Sequence, residues 1–237
     1  MPIQEAKTEH VTFPVEVAFD RIKEMMYRNQ LVPGQKLIYS DLAKKLGMSV
    51  TPVIQALNRL RYLNIVYSEP NKGFFVGEAD PIEADQLFAA REVLEPSVIP
   101  DVVRNLTEES LDEIEAAMQG IIEAASVPDY RRHLMRRDTN FHLTIVKTSG
   151  NRVIYDICQR IFEQMYLKYR PEYLEDERLK EAGEEHRMVI EALRQRDTGK
   201  AKAYLRRNIR TGRKYIVGRL RAERESKIYP HNTHKLD

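Results

Sequence analysis

Two segments carry residue types able to coordinate an ion. In RRDTNFHLTI, Asp138 and His142 stand four residues apart. On a helix that spacing puts both side chains on one face, one turn apart, so a carboxylate oxygen and an imidazole nitrogen can grip one ion together. In EEHRMVIEAL, His186 belongs to a later helical pattern. One oxygen and two nitrogen donors from two helices suit a divalent metal. The ordinary reading stands beside it: an Asp–His pair at this spacing arises by chance, and a lone His is commonly a satisfied core or surface residue. Arg91 and Glu95, also four apart, read as an intrahelical ion pair. No nucleophile motif, Gly-rich phosphate loop or pair of catalytic carboxylates accompanies these residues. The chain is therefore expected not to be an enzyme. A metal-dependent enzyme, with the ion activating water, is the alternative.

The elements that must position these residues read as helix after helix from residue 81. Candidate spans are 81–104, 107–126, 128–149, 151–170, 174–196 and 198–224. Their breaks fall at Thr107, a capping candidate, at Pro128, at the SGN of 149–151, at Pro171 and at the turn of 197–199. Short connections imply antiparallel neighbours and an all-α bundle. Cys158 lies in an apolar helical pattern and reads as a small buried hydrophobe. A single cysteine permits no intrachain disulfide, which fits a reducing compartment. The final helix, YLRRNIRTGRKYIVGRLRAERESK, is heavily basic and reads as a solvated or interface face. The tail beyond it, with His231 and His234, is expected to be disordered.

The first part of the chain differs. Residues 10–77 carry nine Lys/Arg against five Asp/Glu, while residues 78–128 carry two against thirteen, so a module boundary is placed near residue 78. Val15, Phe19, Ile22 and Met26 have helical spacing, LVPG at 31–34 is a turn, and Ser40 is expected to cap a short helix ended by Gly47. In SVTPVIQALNRL, Ser49 or Thr51 can cap a second helix, Pro52 fits its first turn, and Val53, Ala56, Leu57 and Leu60 form its inner face. IVYSEPNKGFFV at 65–76 reads as strand, turn and strand with Asn71, Lys72 and Gly73 at the tip. Helix-turn-helix followed by a hairpin is a winged helix, in which one helix enters the major groove and basic residues hold phosphates.

The segment 33–76 resembles the DNA-binding domain of GntR-type bacterial transcription regulators, through Leu42, Ala43, Leu46, Gly47, Ser49, Thr51, Pro52, Val53, Ala56, Leu57 and Leu60, then Gly73, Phe75 and Val76. The chain departs from that pattern where the family usually has Arg: here stand Val50 and Ile54. Gln55 replaces the usual Glu. The helix is expected still to read DNA, with Val50 and Ile54 on thymine methyls and Gln55, Asn58 and Arg61 offering hydrogen bonds or charge. A module that has lost DNA binding is the alternative. Lys44, Ser49, Thr51, Lys72 and Gly73 complete the expected contacts.

Residues 81–220 resemble the FCD effector-binding domain of the FadR branch of that family, through LFAAREVLEPSV, DTNFH, SGN, EHRMVIEALRQRD and AKAYLRRNI. The resemblance implies a metal held by Asp138, His142 and His186, with a fourth His where this chain has Asn208. It implies that Arg91 faces the cavity, where a guanidinium suits a carboxylate. Zn2+ is the expected ion, with Ni2+ or Mn2+ as alternatives. If Asn208 abolishes the site, no metal is expected, and His142 and His186 meet an anion directly. Asn208 could itself contact the effector.

The expectation is thus a mainly α protein. A winged helix-turn-helix occupies 10–77, a linker 78–83, an antiparallel FCD-like bundle for effector binding and dimerisation 84–225, and a tail 226–237. The expected function is ligand-responsive transcription regulation, repression first. The expected partners are a double-stranded operator, a small organic acid and a second copy of the chain. No run approaches the ~20 apolar residues of a membrane span, and no apolar signal region opens the chain, so no membrane partner and a cytoplasmic location are expected.

Overall fold

The computed structural model describes residues 13–123, 130–169, 173 and 175–228. The chain divides into two compact units, residues 1–77 and 78–237.

The first unit holds helices α1 (Pro14–Tyr27), α2 (Tyr39–Leu46) and α3 (Val50–Tyr62), and strands β1 (Lys36–Leu37), β2 (Val66–Glu69) and β3 (Gly73–Val76). Val53, Ala56, Leu57 and Leu60 of α3 are all fully buried, packed with Ala18, Phe19, Ile22 and Met26 of α1. The hairpin pairs antiparallel, with Val66 opposite Val76 and Glu69 opposite Gly73. β1 adds to the other edge of β3, giving the order β1-β3-β2. That short strand escapes a periodicity reading because two residues carry no period. Helix α2 begins one residue before Ser40, at Tyr39, after Ile38 in extended conformation, and neither Ile38 nor Ser49 makes a side-chain capping bond. The expected Ser40 cap is therefore corrected: the residue lies inside the first turn.

Gly47 ends α2 with φ 67°, and its N–H bonds back to Lys44 O. No atom would obstruct a Cβ there, so the cost of Gly47→Ala is conformational. The left-handed region disfavours Ala by ~1–2 kcal/mol. Urea unfolding of the variant should show a loss of that size. An unchanged midpoint would mean that the turn relaxes freely.

The second unit is helical: α4 (Pro81–Ser97), α5 (Ile99–Asn105), α6 (Glu108–Glu123), α7 (Tyr130–Thr148), α8 (Arg152–Lys168), α9 (Asp176–Arg194) and α10 (Thr198–Ile228). The long helix α10 packs along α4 and α9, α6 against α7 and α9, and α8 against α4 and α7. The span 81–104 is two helices, not one. Pro100 brings no N–H to the ladder, and the chain breaks at Val98, which closes α4 and opens α5. The linker of 78–83 is likewise shorter than expected, since Pro81 already begins α4 and Asp80 caps it through bonds from the Ile82 and Glu83 N–H groups. Thr107 Oγ1 accepts from Ser110 N–H, and Asn151 Oδ1 accepts from Ile154 N–H, so both cap their helices. Helix α10 extends through Ile228, beyond the expected start of the tail at 226. The breaks at Pro128 and Pro171 and the tail with His231 and His234 lie outside the described residues.

One core runs through this unit. Phe141, Ile145, Val146, Cys158, Val189, Leu193, Ala201 and Leu205 have no exposed surface. Burial pushes the Cys158 thiol up to about 12, so it is an inert core residue.

Candidate functional site

Helices α4, α7, α8, α9 and α10 enclose a cavity of ≈ 110 Å³ in the second unit. Its walls are largely aromatic and aliphatic, with Phe88, Phe162, Met165, Tyr166 and Ile209 among them. The polar side chains of Arg91, Asp138, His142, Arg178, His186 and Asn208 also face it.

Asp138 and His142 sit one turn apart on α7, and His186 arrives from α9. Asp138 Oδ1 is 3.9 Å from His142 Nε2 and 3.3 Å from His186 Nε2. One donor atom from each of the three lies within 4.8 Å of the others. Two bonds of ~2.1 Å to one ion span at most ~4.2 Å, so a small inward adjustment brings all three into coordination range. His142 and His186 are 1% and 0% exposed, whereas the Asp138 side chain keeps 39% of its surface at the cavity mouth.

The residues behind these three decide what they can do. His142 Nδ1 meets Glu95 Oε2 at 2.6 Å, and Glu95 Oε1 accepts from Arg91 Nε at 2.6 Å. With Nδ1–H donated to a carboxylate, His142 presents the lone pair of Nε2 to the cavity, the arrangement found behind metal-bound histidines. Burial opposes the charge of Glu95, but Arg91 and His142 outweigh it and hold the carboxyl below its usual range. Burial also opposes the ionisation of Asp138, yet its contacts with His186 at 3.3 Å and His142 at 3.9 Å hold the carboxyl well below the ordinary range. Burial pulls the pKa of His186 down despite Asp138, which keeps its imidazole neutral and able to ligate. Nε2 of His186 has only the 3.3 Å contact with Asp138, which falls short of a well-formed hydrogen bond, and Nδ1 has no hydrogen-bond partner among the described residues. Such an orphaned buried group costs ~1–3 kcal/mol. An ion between His186, His142 and Asp138 would satisfy one of the two nitrogens, and this N2O donor set with an adjacent cavity fits a divalent metal.

Asn208, 4% exposed on α10, donates through Nδ2 to Glu185 Oε2 at 2.9 Å. The same oxygen accepts from Arg178 Nη2 at 3.0 Å. The structure thus places Asn208 on the cavity wall with its amide committed to Glu185, and shows no bond from it to the Asp138 cluster. Arg91 pairs with Glu95 and also lines the cavity, and its guanidinium stacks 4.2 Å from the Phe162 ring centre. Sequence reasoning missed Glu95 as the partner of His142 and missed Arg178 and Glu185 altogether. The contact between 95 and 142 joins separate helices, and no spacing rule reports it.

In the first unit, Val50, Ile54, Asn58 and Arg61 fall within an arc of about 80° on α3 at ~100° per residue. Val50 is 36% exposed, Ile54 is half-buried, and Thr51, Gln55, Asn58 and Arg61 are exposed. Lys44 is exposed on α2, and Ser49 precedes α3. Arg61 donates to Ser68 Oγ at 3.1 Å, and Lys72 at the hairpin tip pairs with Glu69 at 2.6 Å. That pair raises the Lys72 pKa and keeps the ammonium charged. Gly73 has φ 94° at the turn. Arg59 is committed elsewhere: its Nη1 lies 2.7 Å from both Glu16 carboxylate oxygens, and its guanidinium sits 4.2 Å from the Phe19 ring centre. Tyr62, 86% exposed at the end of α3, was not anticipated.

If Arg61 and Lys72 touch phosphates, Arg61→Ala and Lys72→Ala should each flatten the slope of log affinity against log salt by ~0.9 on duplex DNA. A slope equal to wild type removes that residue from the contact surface. Lys72 must release Glu69 to reach a phosphate, so its affinity loss should be the smaller.

Comparison with known proteins adds family to geometry. The profile of bacterial regulatory proteins of the gntR family matches residues 14–76, and that of the FCD domain matches residues 86–211. The HTH-type transcriptional regulator McbR of Escherichia coli K12 is 28% identical over 193 residues, 81% of this chain and 86% of McbR. The HTH-type transcriptional repressor GlaR of the same organism is 22% identical over 197 residues, 80% of this chain and 90% of GlaR. The solved structure of E. coli McbR/YncC superposes with a TM-score of 0.76 at 24% identity, covering 88% of this chain and 99% of that one, which establishes the shared fold.

Proposed function

Because the chain belongs to the gntR family of bacterial regulatory proteins and carries an FCD domain, and is thus a DNA-binding transcription regulator, we propose that its helical unit binds a small organic acid at a divalent metal and thereby controls the DNA affinity of its winged helix. The observation that carries this reading is the convergence of Asp138, His142 and His186 on one wall of an apolar cavity, with Glu95 orienting His142 from behind. Three protein ligands leave positions for effector oxygens, and Arg91 lies in the same cavity as a guanidinium partner for a carboxylate. When bound, the metal would supply a positive charge for that carboxylate, and Zn2+ is the first choice for two imidazoles and a carboxylate.

On DNA, Val50 and Ile54 pack on thymine methyl groups while Gln55, Asn58 and Arg61 reach base edges or phosphates. Two winged helices on a homodimer would match a palindromic operator. Coupling between the two sites has the usual allosteric size, ~1–3 kcal/mol. Repression is the proposed mode, in line with the name of GlaR as a transcriptional repressor. The relatives are transcription regulators rather than enzymes. No described helix is long and apolar enough to cross a membrane, and the proposed place of action is the cytoplasm, where the operator is.

Selection of genomic fragments by the purified full chain, with and without Zn2+, tests the proposal. Enriched palindromic sites whose affinity changes when metal and acids are added support it. A protein that prefers no duplex at low salt overturns the DNA-reading half. DNA binding indifferent to every acid and to chelator overturns the effector half.

A further inference from the structure

The cavity holds buried polar atoms that the Asp138–His142–His186 cluster does not use. Arg178 lines it and is 7% exposed. Its Nη2 is fixed by Glu185, itself held by Asn208, but its Nη1 has no hydrogen-bond partner among the described residues, with Glu181 Oε2 3.7 Å away. Tyr169, 4% exposed and on the same wall system, has a hydroxyl that is likewise without a partner among the described residues. Burial pushes that phenol up, so it remains a donor. Buried donors left unmatched are unfavourable, and their gathering around one cavity indicates an acceptor that arrives from outside.

Arg178 and His186 both belong to α9 and both line the cavity, and the Arg178 guanidinium reaches Glu185, the neighbour of His186, so one small molecule can meet both. Charge limits what its far end can be. The two guanidinium groups, Arg91 and Arg178, face three carboxylates, Glu95, Asp138 and Glu185, while Glu181 beside Arg178 is 57% exposed and its charge is screened by solvent. A divalent ion at the cluster turns that balance into a single surplus positive charge, which one carboxylate neutralises. A second carboxylate at Arg178 would instead confront the buried carboxylate of Glu185.

We infer that the cavity takes a monoanionic acid whose far end carries a neutral hydrogen-bond acceptor, a keto or amide oxygen, received by Arg178 Nη1, with an apolar spacer between the two ends. The inference rests on the reading of this cavity as an acid-binding site and says which acids it selects.

Calorimetric titration of the Zn2+-loaded full chain with two series tests it: pentanoate, 4-oxopentanoate and glutarate, then hexanoate, 5-oxohexanoate and adipate. In at least one series the oxo acid should bind about tenfold or more tighter than the plain acid, the worth of one hydrogen bond to a charged donor, and tighter than the dicarboxylate. The double variant Arg178→Met with Glu185→Gln removes the ion pair together and leaves no buried charge alone. It should bind oxo and plain acids equally. The comparison on wild-type protein stands even if that variant fails to fold. If plain acids bind and the oxo group gains nothing, or the dicarboxylate is preferred, the far-end site falls while the acid-binding reading stands. If none of these acids binds, both fall.

Discussion

Replacing Glu95 with Ala is expected to destabilise the helical unit by ~3–5 kcal/mol, because it strands a buried guanidinium. Glu95 has no exposed surface and joins two partners, Arg91 through one oxygen and His142 through the other, each at 2.6 Å. Its removal leaves Arg91 buried beside Phe162 without a counter-charge. It also frees the His142 ring to rotate, which should lower divalent-metal affinity by ~10–100-fold. Glu95→Gln separates the two effects: the amide oxygen can still accept from Arg91, while the charge is gone. Urea unfolding of the metal-free protein reads the first effect and metal titration the second. A metal-free stability within ~1 kcal/mol of wild type would show that the triad is not what holds α4 to α7. The same residue gives a pH dependence. Its folded pKa lies below the ordinary 4.5, so the stability it contributes is full above that value and is lost as pH falls through the folded value. Acid unfolding of the helical unit should therefore be steeper in wild type than in Glu95→Gln.

His142→Ala should lower divalent-metal affinity by roughly 100-fold or more, beyond the effect of losing its supporting carboxylate, and should abolish the response of DNA binding to effector. Binding to DNA in the absence of effector should persist. The core under α3, formed by Val53, Ala56, Leu57 and Leu60 against α1, lies wholly within the first unit and contains nothing from α7. Metal content by mass spectrometry and operator affinity with and without acids check both halves. A variant that keeps its ion and its response would place the effector elsewhere. Loss of DNA binding together with the response would mean that the ion is structural, since a ligand bound only to the folded state stabilises it.

Much of the fold was legible because it rests on short-range patterns. The inner face of α3, the left-handed Gly47, the cap at Thr107 and the tip at Gly73 follow from helical period and turn chemistry, which neighbouring residues report without tertiary contact. The Asp138–His142 pairing was legible for the same reason, one turn of one helix. The failures have equally local causes. Ser40 looked like a cap, but the helix starts one residue earlier, with the Ile38 carbonyl accepting from the Asp41 and Leu42 N–H groups, and β1 exists only because β3 offers it an open edge. The break at Val98 was hidden because apolar period continues across it, and only the Pro100 ring marks the point where the backbone ladder stops.

By itself the sequence determined the two modules, their order, most of the helices, and which residues are proposed to hold a metal, since composition and period are written along the chain. Tertiary structure alone decided who stands behind whom: that Glu95 orients His142, that Asn208 is turned to Glu185, and that Arg178 enters the cavity with a donor to spare. Those contacts join residues 23 to 47 positions apart or depend on what a neighbouring helix leaves unfilled. The energy of a buried polar group is set by its partners across helices, and no property of the isolated residue or its neighbours in sequence encodes them.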